Sequence, residues 1–301
     1  MNDTSQGPQR FGFAAIIGAP NAGKSTLVNQ LAGSKISIVS HKVQTTRARI
    51  RAIIVEGQSQ VVLVDTPGIF VPRRKLDTAM VDNAWAGASE ADAVLVLVDA
   101  RRGIDEQVER IFAHLAKENR KAMLVINKTD LVRHEELLPL AQKLNEAHPF
   151  TETFMVSALT GSGIEKLKQR LVAMMPEGPW HYPEDQIADV NLRFLAAEIT
   201  REKIYERLHE ELPYSSTVET ETWEEMKDGS VKIKQAIFVA RDGQKAIVVG
   251  KGGQMAKTLG QLARADMEKA FGRRVHLFLF VKVRENWAED PERLRMMGLT
   301  L

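Results

Sequence analysis

The sequence contains no cysteine, so disulfide staples and cysteine-based zinc sites are excluded, as expected for a chain that works in a reducing cytoplasm. It lacks any long apolar run. The longest, "AVLVLV" at 93–98, falls well short of the roughly 20 residues a membrane-spanning helix needs. The opening stretch "MNDTSQGPQR" lacks the apolar centre of a signal peptide, so any membrane contact is expected to be peripheral. The seven histidines show no metal-ligand spacing, and the four tryptophans (Trp85, Trp180, Trp223, Trp287) read as packing residues rather than base platforms. There is almost no net charge, only +2, and that average hides an asymmetry. Residues 181–230 carry 5 Lys/Arg against 13 Asp/Glu, whereas 231–284 carry 12 against 3. A basic stretch beside an acidic one suggests an anionic partner more than the whole-chain charge does.

What is present is enough for two domains in 301 residues. Up to about residue 175, β-branched apolar runs alternate with helical periodicity. Strands are expected over 11–19, 48–57, 60–68, 91–100, 121–130 and 153–159, with a helix over 105–119. Continuously apolar strands are those covered on both faces, so the pattern implies a doubly wound α/β sheet with ligands at the strand C-terminal ends. The stretch "MPEGPWHYPEDQ" at 175–186 holds three prolines and a glycine and reads as a linker. The expected domains are 1–177 and 191–301, with 178–190 between them. The second opens on an amphipathic helix over 191–212. Strands over 216–225 and 231–240 follow, joined through Lys227, Asp228 and Gly229, then a helix over 254–271 and a strand over 274–283.

"GAPNAGKS" at 18–25 matches the phosphate-loop pattern G-x-x-x-x-G-K-[ST] between a strand and a helix. The backbone from Gly18 through Ala19, Pro20, Asn21, Ala22, Gly23, Lys24 and Ser25 to Thr26 would cradle phosphates. Lys24 would pair with the β/γ oxygens, and the Ser25 hydroxyl would ligate Mg²⁺. "DTPG" places Asp65 at the Mg²⁺ shell, followed by Thr66 and Pro67, with the Gly68 amide able to sense a γ-phosphate. "NKTD" places Asn127 toward guanine O6, Lys128 between, and the Asp130 carboxylate toward the N1–H and N2 amine. Adenine has no such donor pair, so the set selects GTP. Ser157, Ala158 and Leu159 end the next strand and offer a backbone N–H to O6. Within 34–50, Thr45 and Thr46 are candidate switch threonines, and Thr46 is favoured for the metal. Lys24, Thr46 and Gly68 are the candidate catalytic residues; Ser25, Thr46 and Asp65 are the metal set. Ile69 stands where a water-orienting glutamine often lies, which implies slow intrinsic hydrolysis. Asn21 is either a ligand for K⁺ or a turn-stabilising residue.

A second glycine cluster, Gly250-Lys251-Gly252-Gly253, has no Gly-Lys-Ser/Thr and so no metal ligand. Its spacing suits a sugar-phosphate strand lying along the loop. Lys251, Lys257, Arg264, Arg273 and Arg274 are candidate phosphate contacts.

"GAPNAGKST", "VQTTR", "DTPG", "NKTD", "SAL", "YPEDQIADVNLRFLAAEITREK", "ELPYS" and "VVGKGG" together resemble the Era GTPases across nearly the whole chain. The resemblance implies a P-loop GTPase domain with a mixed sheet and a C-terminal α+β type II KH domain. It implies Mg²⁺-dependent hydrolysis of GTP to GDP, and binding of small-subunit (16S-type) rRNA near its 3′ end in 30S subunit assembly. It also implies peripheral association with the membrane, and a monomer is expected. Ala188 and Ala256 depart from the family pattern, and Ala256 bears on the shape of the RNA groove. Two other functions stand against this reading: a membrane-surface signalling switch acting through protein partners, and a GTP-dependent RNA-modifying enzyme, which no nucleophile or cofactor motif supports.

Overall fold

The computed structural model describes residues 7–40, 42, 45–189, 191–290, 294 and 299. Two compact units emerge. One holds residues up to Ser37 together with Thr46–Asp189; the other holds Ile38–Thr45 together with Val190–Leu301.

The first unit is built on β1 (Arg10–Gly18), β2 (Ile50–Glu56), β3 (Ser59–Asp65), β4 (Ala93–Asp99), β5 (Met123–Asn127) and β6 (Thr153–Met155). The sheet order is β2-β3-β1-β4-β5-β6, parallel except for the antiparallel edge pair β2/β3. Every residue of β3, β4 and β5 is buried, as continuously apolar strands between two helical layers should be. Helices α1 (Lys24–Ala32), α2 (Lys75–Glu90), α3 (Glu106–Lys117), α4 (His134–Ala147) and α5 (Ile164–Met174) complete the unit. α3 shows why these segments form. Asp105 caps it by accepting from Gln107 N and Val108 N, and Val108, Ile111, Phe112 and Leu115 repeat on one buried face. Pairing register then lines up the strand ends that matter: Ile16 with Asp65, Gly18 with Leu97, and Asp99 with Asn127.

The proline-rich stretch expected as a linker is hydrogen-bonded to the first unit for much of its length. Trp180 Nε1 donates to Gln58 O, Gln60 Nε2 to Tyr182 O, and Ala188 bridges to Ala52. Proline blocks a ladder only at its own nitrogen, so its neighbours still pair along the sheet edge.

The second unit runs α6 (Leu192–Arg207), β7 (Ser216–Glu225), β8 (Val231–Val239), α7 (Asp242–Val249), α8 (Gln254–Phe271) and β9 (Val275–Val283). β8 pairs antiparallel with β7 and parallel with β9. Ile237 and Val239 of β8 and Leu279 and Val281 of β9 alternate onto the core beneath the helices. The apolar "AIVV" before the glycine cluster belongs to α7, which is too short to show helical periodicity and is not among the elements expected from the sequence. One expectation is corrected here: α6 is not a one-faced amphipathic helix, since Ala196 through Tyr205 are all buried, Glu198, Arg201, Glu202 and Lys203 included. Arg201 is held by Glu198, and Lys203 by Glu202, Glu206 and Asp266. Val39, Lys42 and Thr45 lie against this helix. Val39 N donates to Glu202 Oε1 at 2.8 Å, Lys42 Nζ donates to Tyr205 O and Leu208 O, and Arg201 Nη2 donates to Thr45 O.

Candidate functional site

At the C-terminal ends of β1 and β3, the phosphate loop turns into α1 through Gly23, whose φ of 99° is closed to other residues. A Cβ there would also stand 2.3 Å from Asn127 Nδ2. Lys24 is buried, and its Nζ donates to Gly18 O at 3.1 Å and Ala19 O at 3.0 Å. Burial lowers its pKa to about 8, with the charge of Lys128 acting the same way and that of Asp65 opposing. Asp65 is fully buried, and burial pushes its carboxyl up against the pull of the Ser25 hydroxyl and the Lys24 charge.

Ser25, Thr46 and Asp65 converge. Ser25 Oγ lies 2.8 Å from Thr46 Oγ1, which lies 3.4 Å from Asp65 Oδ2. Asp65 Oδ1 is buried without a hydrogen-bond partner. Two hydroxyls and a carboxylate with an unused oxygen form a hard-oxygen set that suits Mg²⁺. Thr45 instead donates to Lys42 O at 2.7 Å. Across the loop, Ile69 N donates to Gly18 O at 3.0 Å, and a Cβ on Gly68 would meet Pro20 at 3.0 Å. Gly68 therefore sits against the phosphate loop. Thr66 has a different use, since its buried hydroxyl donates to Ile16 O.

Asn127 Nδ2 donates to Ala22 O at 2.8 Å, and its Oδ1 accepts from Ala158 N at 2.9 Å. Lys128 adopts the left-handed conformation with φ of 64°, and the next turn, Thr129–Leu131, carries an exposed Asp130.

In the second unit, Gly250 follows α7 with φ of 75°, and Gly252 and Gly253 also have positive φ. A Cβ on Gly250 would stand 2.7 Å from Met255 Cβ. The loop is thus held tightly against the first turn of α8, with Lys251 and Lys257 exposed beside it.

Residues 13–128 match the model of the 50S ribosome-binding GTPases, and 211–288 that of the KH domain. GTPase Era of Afipia carboxidovorans is 62% identical over 299 residues, covering 99% of this chain and 97% of that protein. The chain belongs to the GTPase Era family. GTPase Era of Brucella suis is 59% identical over 297 residues, covering 99% of this chain and 96% of its own. The crystal structure of Era with MgGDPNP and nucleotides 1506–1542 of 16S ribosomal RNA matches with a TM-score of 0.92 and 38% identity, over 97% of this chain and 100% of that one. An Aquifex aeolicus Era variant bound to GDP and AlF₄⁻ matches with the same score, identity and coverage. As a member of the Era family, the chain is a P-loop enzyme that binds guanine nucleotides and hydrolyses GTP, with an α-β-β-α-α-β KH domain at its C-terminal end.

Within this Era-type site, several expected roles move. Both polar atoms of the Asn127 amide engage protein groups, so the side chain ties the phosphate loop to the 157–159 turn. Ala158 N is thereby occupied and Ser157 N donates to Ser162 O, while Leu159 N has no acceptor among the described residues. Arg273 is not free to meet a phosphate. It forms a bidentate pair with Glu225 and lies over the Trp223 ring. Arg273 and Arg274 follow an 18-residue helix of about 27 Å, so they lie at the opposite end of α8 from the glycine loop. The basic excess of 231–284 is also partly cancelled across the sheet, because Lys232 pairs with Glu224 and Lys282 with Glu221. Sequence counting sees charges by segment, whereas the sheet sets Lys232 directly opposite Glu224 and brings Lys282 to Glu221 across the central strand. Motif reading does not single out Asp99. Its signal is an ionisable residue ending an apolar run, as Asp65 ends the Val61–Val64 run of β3.

Proposed function

We propose that the chain is a GTP-driven switch that binds the 3′ region of small-subunit rRNA through the 250–253 loop and assists 30S subunit assembly. The observation that carries the RNA half is the loop itself. Three positive-φ glycines sit between α7 and α8, with exposed Lys251 and Lys257 alongside, and relatives include an Era structure holding 16S rRNA. Backbone can approach backbone closely only where side chains are absent, and lysine supplies the counter-charge.

In the nucleotide half, Ser25, Thr46 and Asp65 would hold Mg²⁺, which would neutralise phosphate charge. Lys24 turns from its loop carbonyls to the phosphate oxygens, and the Gly68 amide donates to the γ-phosphate. Asp130 reads the guanine edge, and Leu159 N serves O6. Ile69 is buried and apolar, so no side chain at that position orients the attacking water, which supports slow intrinsic hydrolysis. Asn21, at φ of 63°, is the candidate K⁺ ligand in the loop; equal kcat in potassium and in sodium removes that role.

Nucleotide state and RNA binding are coupled in this reading, with GTP ordering 34–50 and 68–88. The test is the affinity for a 16S 3′-end oligonucleotide in the presence of a GTP analogue and of GDP, measured across a salt series. Tighter binding in one state, with a steep salt slope, is the expected result. Equal affinities remove the coupling, and salt-insensitive binding removes the phosphate contacts. Among the described residues no helix is long and apolar enough to cross a membrane. We place the work of the chain in the cytoplasm, with peripheral contact at the membrane's cytoplasmic face to be read by vesicle sedimentation.

A further inference from the structure

Asp99 ends β4, all of whose residues are buried, and is itself 5% exposed. Its two oxygens face different loops. Oδ1 accepts from Arg101 N at 3.0 Å, closing the turn that leads toward α3. Oδ2 lies 2.6 Å from Lys128 Nζ. The same ammonium donates to Asn21 O at 2.6 Å, inside the phosphate loop. Ala100 N donates to Asn127 O, so the two strand ends are also stitched by backbone. One carboxylate and one ammonium thus connect the β4 end, the phosphate loop and the turn bearing Asp130. That turn starts on Lys128 in the left-handed region, where a side-chain-bearing residue stays only if its surroundings hold it.

We propose that Asp99 is a positioning residue for guanine-nucleotide recognition: it fixes Lys128, and through Lys128 the Asn21 carbonyl and the Asp130 turn. The proposal rests on Asp130 reading the guanine edge. An ordinary structural ion pair would hold the fold without favouring one base over another. A positioning pair makes the guanine contact depend on Asp99, because Asp130 meets the N2 amine only if its turn is fixed. Asn at 99 keeps an oxygen for Arg101 N and removes the charge that holds Lys128.

The experiment measures GDP and inosine diphosphate affinities for the intact chain and for Asp99→Asn, Lys128→Met and the double variant. Inosine lacks the 2-amine that Asp130 contacts. Asp99→Asn is expected to weaken GDP by about ten- to a hundredfold, the scale of one charge-assisted hydrogen bond. Inosine diphosphate should lose less, so discrimination falls. KM for GTP rises in parallel with the loss of GDP affinity. The double variant should lose no more than Lys128→Met alone, as expected when one residue acts through the other. A GDP affinity within twofold of the intact chain overturns the proposal. So do equal losses for both nucleotides, or losses that add in full. Should Asp99→Asn not fold, Lys128→Met decides alone: unchanged discrimination between the two nucleotides is the overturning result. Asp130→Asn serves as the separate control. A shift toward xanthosine diphosphate, whose C2 oxygen accepts from an amide, upholds the Asp130 reading, and no shift overturns the Asp130 reading and with it the proposal.

Discussion

Lys24 pairs a functional need with a folding cost. A phosphate-binding ammonium must lie inside its loop, and in the nucleotide-free protein burial lowers its pKa to about 8. The folded chain then binds fewer protons than the unfolded one between about pH 8 and pH 10.5. Stability therefore rises with pH across that window, and the full penalty, about 3 kcal/mol, is present below it. Lys24→Met is expected to abolish GTP binding while stabilising the nucleotide-free protein by about 1–3 kcal/mol at pH 7. Urea unfolding at pH 7 and at pH 10 checks both parts, with the difference from the intact chain shrinking at the higher pH. Nucleotide binding should also take up a proton near pH 8, so GDP affinity declines above it. Calorimetry in buffers of different ionisation enthalpy measures that proton. The residues of this site were legible to different degrees. Gly23, Lys24, Ser25 and Asp65 are set by short motifs whose chemistry allows few substitutes. Asn127 was legible from its motif but its tethering contacts were not, and Asp99 was not legible at all, because the partners (Ala22 O, Ala158 N and Lys128) lie far away in sequence and become neighbours only through strand order.

At the level of elements, β1, β3, β4 and β5 were readable because strands covered on both faces are apolar without interruption. α7 was not, since eight residues give barely two turns and only Gln244 and Val248 are buried. That short helix sets the glycine cluster, and its geometry separates two kinds of arginine and lysine. Gly253→Asp has open space around its Cβ but a positive φ, so it should cost about 1 kcal/mol of stability. By placing a negative charge on the clamp it should reduce rRNA affinity at least tenfold. Arg273→Ala should do the opposite. It breaks the bidentate pair with Glu225 and uncovers Trp223, lowering stability slightly, and leaves rRNA affinity within about twofold. Filter binding and thermal melts on both variants decide whether the basic surface acts at the loop or across the whole unit.

For the whole molecule, the sequence divides at a proline-rich stretch, whereas compactness divides it differently: Ile38–Thr45 counts with the second unit. Charge pattern and hydropathy could not reveal this, because the attachment is made by Val39 N, Lys42 and Arg201 through polar contacts on backbone or carboxylate. Lys42→Ala should therefore loosen the C-terminal end of α6, where Tyr205 O and Leu208 O lose their donor. Hydrogen exchange should show faster exchange over 204–208 than in the intact chain, with β4 and β5 unchanged. Order of synthesis gives the same feature a further consequence. Val39 leaves the ribosome 163 residues before Glu202, its partner. The early segment must wait, unpaired, for most of the chain to be translated. The first unit can acquire its sheet during that interval, but the second cannot reach its full set of contacts until α6 has been made and has met a peptide already long exposed. Folding of the C-terminal unit is thus a closing step, and a ribosome stalled before α6 would carry a folded sheet and a Val39 still without its partner.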